Sequence, residues 1–111
     1  MTNKQFYTLF SDATEQADRD VFVSDWALSS IWSAEDPLAD PGEDLIEQIG
    51  VVWDTAHLSI REMRTKTGMS RTQFAERFLI PLKTLEGWEL GRPCAPYIRL
   101  MLAEILGIYK R

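Results

Sequence analysis

Ten basic side chains crowd the second half of this 111-residue sequence: Arg61, Arg64, Lys66, Arg71, Arg77, Lys83, Arg92, Arg99, Lys110 and Arg111. Cations gathered over so short a stretch can bind the phosphates of a polyanion. Residues 57–111 set ten basic groups against five acidic ones, a net of +5, whereas residues 1–56 set Lys4 and Arg19 against twelve acids, a net of −10. The total of −5 therefore covers two halves of opposite sign. Local charge governs phosphate binding more than the total does, so the split permits such binding in the second half and opposes it in the first. Two solvated faces without a ligand are the alternative that charge alone leaves open.

Other chemistries find little support. His57 is the one histidine and has no cysteine or second histidine near it, so no metal site is expected. Cys94, the one cysteine, cannot form an internal disulfide, and it has no histidine to make it a nucleophile. The carboxylates are scattered or stand at helix starts, and no glycine-rich phosphate loop is present. A protein without catalytic activity or cofactor is expected. A free thiol suits a reducing cytoplasm, the segment MTNKQFYTLF has no long apolar stretch of the kind a secretion signal needs, and no run is apolar enough to span a membrane.

These side chains need elements to hold them. With 45% hydrophobic and 26% charged residues, the chain has the make-up of an ordinary globular protein. Phe6, Leu9, Phe10, Ala13 and Ala17 share one helix face, which predicts a helix over residues 3–17. Residues 20–32 are apolar with blurred periodicity; a largely buried helix is expected, with a strand start at Val21–Val23 as the alternative. Two Asp-Pro steps and a Pro-Gly step make residues 33–42 a loop. A helix then begins near Glu43, striped by Leu45, Ile49, Val52, Trp53 and Ala56. Ser59 with Glu62 and Ser70 with Gln73 have capping-box spacing, so helices are expected from Ile60 to Gly68 and over 70–78. After the break Leu79-Ile80-Pro81, a helix over 82–90 faces Leu85 and Trp88 inward and ends at Gly91. A last helix over 97–106 carries Ile98, Met101, Leu102 and Ile105.

Residues 59–106 resemble the lambda-repressor-like, Cro-type (XRE-type) helix-turn-helix family. Three blocks carry the likeness: Gly68-Met69-Ser70-Arg71-Thr72-Gln73-Phe74-Ala75, then Ile80 to Leu85, then Trp88-Glu89-Leu90-Gly91-Arg92. The resemblance implies that helix 82–90 enters the major groove of double-stranded DNA and presents Leu82, Lys83, Glu86 and Gly87 to base edges, with Thr84 beside them. It implies that Lys83 donates to guanine and Leu82 touches a thymine methyl. Glu86 either accepts from cytosine or orients Arg71, with an intrahelical partner as the alternative. Arg71, next to Thr72 at the start of the preceding helix, and Arg92 are implied phosphate contacts, with solvated surface charges as the alternative. Phe74, Phe78, Ile80, Leu85 and Trp88 are expected in the core.

Three positions depart from the family pattern. Leu79 stands where a turn glycine is common, Pro81 replaces a Ser/Thr cap, and Gly87 leaves a base-reading position without a side chain. Residues 1–56 contain no decodable motif. They are expected to form an acidic helical extension that packs on the module, binds a basic protein partner, or dimerises; the apolar surplus of the last helix (Tyr97, Leu100, Leu106, Ile108 and Tyr109) adds to the last option. The expectation is an all-α protein in two parts, 1–56 and 57–111. It is expected to act as a homodimeric, cytoplasmic, sequence-specific regulator of transcription such as a repressor. An antitoxin-like or inhibitor module, with the helix-turn-helix as scaffold, is the alternative.

Overall fold

The computed structural model describes residues 1–32 and 43–109. Among them are seven helices and no strand: α1 Asn3–Glu15, α2 Arg19–Ala27, α3 Glu43–Ala56, α4 Ile60–Thr67, α5 Arg71–Phe78, α6 Leu82–Glu89 and α7 Pro96–Ile105. The loop expected over 33–42 lies outside the described residues. The chain divides into two compact units, Met1–His57 and Leu58–Arg111; the sequence places the division one residue earlier.

Polar side chains start four of these helices. The Ser59 hydroxyl accepts from the Glu62 N–H at 3.1 Å while the Glu62 carboxylate accepts from the Ser59 N–H at 3.4 Å. Ser70 and Gln73 form the same reciprocal pair at 3.2 and 2.9 Å, and Thr2 and Gln5 a third at 3.1 and 2.7 Å. Asp18 caps α2 by accepting from the N–H groups of Asp20 and Val21. Each satisfies donors that a first helical turn otherwise leaves unpaired.

In the first unit α3 packs against both α1 and α2. Phe6, Leu9, Phe10 and Ala13 from α1, Phe22 from α2, and Ile49, Val52 and Ala56 from α3 form its core. α2 departs from expectation. It ends at Ala27 rather than near residue 32, contains Val21–Val23 as helix, and buries Phe22 alone. The Asp18 cap commits Val21 to a first helical turn. With Asp20 and Asp25 on so short a helix, one narrow row is left to face α3. His57 follows α3 and stacks on Trp53, ring centroids 4.0 Å apart. Its Nε2 lies 2.7 Å from the Ala13 carbonyl; a carbonyl only accepts, so Nε2–H donates and ties α1 to the end of α3.

In the second unit α4 packs against α6 and α7, and α5 against α6. Ile60, Met63, Phe74, Ala75, Leu85, Leu102, Ala103 and Tyr109 are buried, whereas Phe78, Ile80 and Trp88 are half-buried. α7 also departs from expectation. It begins at Pro96, whose missing N–H has no intrahelical partner to lose at that position. Its inward row runs through Ile98, Leu102 and Leu106 with Ala103 beside it, so Met101 and Ile105, expected inside, stand exposed with Tyr97.

Leu79 joins α5 to α6 at φ 54° and ψ 39°, the sole positive-φ residue other than glycine among the described residues, and it is 90% exposed. The left-handed backbone crowds Cβ at a cost of about 1–2 kcal/mol, and an exposed side chain recovers little of it. Glycine relieves the crowding but loses about 0.5–1 kcal/mol of backbone entropy. Leu79→Gly is therefore expected to stabilise the protein by about 0.5–1 kcal/mol in reversible denaturant unfolding. A lowered midpoint would show that the leucine side chain holds the turn.

Candidate nucleic-acid interface

α6 is short, so its position depends on what grips its inner side. Leu85 is fully buried at its centre. One turn later Glu89 also points inward, with its side chain 1% exposed. A carboxylate so deeply placed needs cations. Arg64 of α4 supplies two N–H donors to Glu89 Oε1, from Nε at 3.1 Å and Nη2 at 2.8 Å. The Arg64 side chain is itself 16% exposed, and its Nη1 donates to the Met69 carbonyl at 3.1 Å, fastening the α4–α5 turn. Arg71 of α5 places Nε 3.3 Å from Glu89 Oε2. One buried carboxylate thus joins α4, α5 and α6.

Arg71 therefore has a carboxylate partner, and it is Glu89; no ion pair joins Arg71 to Glu86 among the described residues. The Arg71 side chain is about half exposed, which leaves part of its guanidinium open to solvent beside exposed Thr72. Sequence reasoning gave Glu89 no role beyond its motif. A signal was present: Glu89 lies four residues from Leu85, on the buried side of the helix, where a carboxylate requires a partner such as Arg64.

The outward side of α6 carries the other candidate residues. Leu82, Lys83 and Thr84 are exposed in its first turn, and Glu86 is half-buried. Lys83 and Gly87 lie two residues either side of buried Leu85, so both are on the opposite face of the helix. Gly87 is nevertheless buried, because the Arg92 side chain lies across it. A Cβ added at Gly87 would meet Arg92 Cδ at 2.8 Å, with Nη1 at 3.5 Å and Nε at 3.6 Å. The chain reversal after α6 makes this approach. The Arg92 N–H donates to the Gly87 carbonyl at 2.9 Å and the Gly91 N–H to Trp88 at 3.3 Å. Gly91 has φ 103°, a conformation that glycine adopts freely. Neither Lys83 nor Arg92 has an ion pair or a side-chain hydrogen bond among the described residues. The structure thus brings Lys83, Gly87 and Arg92 onto one face and places Arg71 on the Glu89 side.

The remaining candidates offer little reactivity. Burial pushes the Cys94 thiol above its ordinary value, with nearby Arg99 only partly opposing the shift, so the thiolate is disfavoured. Among the described residues no three histidine, cysteine or acidic side chains are grouped to hold a metal ion, and no helix is long and apolar enough to cross a membrane. No protein-family model, curated protein or solved structure matches the chain.

Proposed function

We propose that the chain is a DNA-binding regulator of transcription, with α5, the turn Leu79–Pro81 and α6 acting as a helix-turn-helix of the lambda-repressor-like kind. The observation that carries this reading is the construction of α6. Its inner side is gripped by buried Leu85 and by the Arg64–Glu89 pair, while its outer side presents Lys83 and Arg92, two cations with no intramolecular partner among the described residues. A rigidly held helix with unpaired cations facing outward suits the major groove, where helix side chains meet base edges. Arg71, still half exposed, is available to a phosphate. The net +5 of residues 57–111 favours the same polyanion.

In this reading the protein works in the cytoplasm as a repressor or autoregulator and not as an enzyme. It acts as a homodimer, since two half-sites one helical turn apart call for two recognition helices. Tyr97, Met101 and Ile105, exposed in one row of α7, are the face assigned to the second copy. A second reading rests on the first unit: with −10 over residues 1–56 and the apolar Val21 of α2 and Leu28 just after it exposed, it suits a basic protein partner.

Lys83→Ala discriminates between the two. Lys83 is exposed, so its truncation leaves folding intact. Binding to a selected duplex site is expected to weaken by about 1–3 kcal/mol, with a smaller loss on random duplex. Equal losses on both would remove Lys83 from base reading, and unchanged binding would remove α6 from the interface.

A further inference from the structure

The burial of Gly87 is out of place for its position. It lies on the outer face of α6, opposite Leu85, where a side chain would project into solvent. Arg92 covers it, arriving from beyond the end of the helix. Its guanidinium nitrogens Nη1 and Nε lie 3.5 and 3.6 Å from the point a residue-87 Cβ would occupy. A side chain of residue 87 would extend outward from that point, so the guanidinium stands close to where its polar end would begin. The missing side chain and the folded-back arginine are two halves of one arrangement: only glycine leaves room for Arg92 Cδ at 2.8 Å, and the turn at Gly91 directs Arg92 back over the helix.

Resting on the DNA-binding reading above, we propose that Arg92, seated over Gly87, is a specificity-determining side chain that reads a guanine in the major groove. The resemblance in the sequence implies a phosphate contact for this residue; the seat on α6 gives it the place of a base reader. Arginine suits the task because its planar fork donates two parallel hydrogen bonds to guanine O6 and N7, which lysine cannot match. The register follows from helix geometry. Lys83 and Gly87 are four residues apart on the same face, a rise of about 6 Å. Base pairs stack about 3.4 Å apart along the duplex axis and a helix in the groove is inclined to that axis, so the guanine read by Arg92 lies about one to two base pairs from the position read by Lys83.

The test is selection from a duplex pool with a randomised core, using the full-length protein, Arg92→Ala, Arg92→Lys and Gly87→Ala, with the bound fractions sequenced. The unaltered protein is expected to enrich a guanine at one position in each half-site. Arg92→Ala should abolish that preference, a loss of about ten- to a hundredfold in discrimination, while the preference about one to two base pairs away, at Lys83, persists. Arg92→Lys should restore overall affinity but not the guanine preference. Gly87→Ala keeps Arg92 and favours the helix, yet its methyl displaces the arginine stem, so it should lose the same guanine. Unchanged base preferences in Arg92→Ala, with affinity lowered alike on all sequences, would return Arg92 to the phosphate backbone. An intact guanine preference in Gly87→Ala would likewise overturn the seat. Failure of the unaltered protein to bind duplex at low salt would remove the DNA-binding reading itself and this inference with it.

Discussion

Glu89→Ala is expected to destabilise the second unit by about 3–5 kcal/mol. The Glu89 side chain is 1% exposed and its Oε1 accepts two hydrogen bonds from Arg64, which is 16% exposed. Removing the carboxylate leaves a mostly buried guanidinium without its counter-charge, and the cost of an unpaired buried charge exceeds the net worth of the intact pair. The loss is a large fraction of the ~5–15 kcal/mol that holds a typical domain together. Arg71 stays half solvated and feels the change less. Replacing Arg64 and Glu89 together by apolar residues of similar size should restore much of the lost stability, because both desolvation costs then vanish. Denaturant midpoints of the single and double variants measure this directly. A loss below about 1 kcal/mol in Glu89→Ala would mean that the pair contributes only as a surface ion pair does.

Phe74→Ala is expected to cost about 3–5 kcal/mol by a different route. Phe74 has no exposed surface and its ring centroid is 4.9 Å from that of Phe78. Truncation removes a full aromatic side chain from water-free packing between α5 and its neighbours and leaves a cavity that the surrounding helices only partly close. The loss should appear as a lowered unfolding midpoint with an unchanged denaturant slope, since the surface exposed on unfolding barely alters. Retention of the parental midpoint would show that α5 is not part of the core.

Much of this architecture was legible in local signals. Ser59 with Glu62 marks the start of α4 to the residue, and Ser70 with Gln73 marks that of α5 to within one, since Ser70 is the cap and the helix begins at Arg71; a reciprocal cap depends on side chains three positions apart and on nothing distant. Leu85 was readable as core from helical spacing. α2 and α7 were less legible for a shared reason. Both are apolar over more than one face, and periodicity cannot say which face meets the rest of the protein. In α7 the small Ala103 and Leu102 face inward, leaving Met101 and Ile105 outside.

The candidate site divides the same way. Lys83, the cation of α6, could be named from the sequence, since its exposure follows from its position opposite Leu85. The partner of Arg71 was less plain: the spacing from Leu85 turns Glu89 inward, but which cations of α4 and α5 meet it depends on how those helices pack. Arg92 over Gly87 was hidden for another reason: it depends on the path of the backbone after the helix, where Gly91 reverses the chain.

The most direct measurement is a titration of the folded protein against duplex DNA at two salt concentrations, followed by sequencing of the bound fraction of a randomised pool. A duplex-binding α6 predicts affinity that falls steeply with salt as phosphate counterions are released, together with an enriched, roughly palindromic site. Absence of binding at low salt by a protein that remains folded would contradict the DNA-binding role and shift the function to the acidic first unit and a basic protein partner.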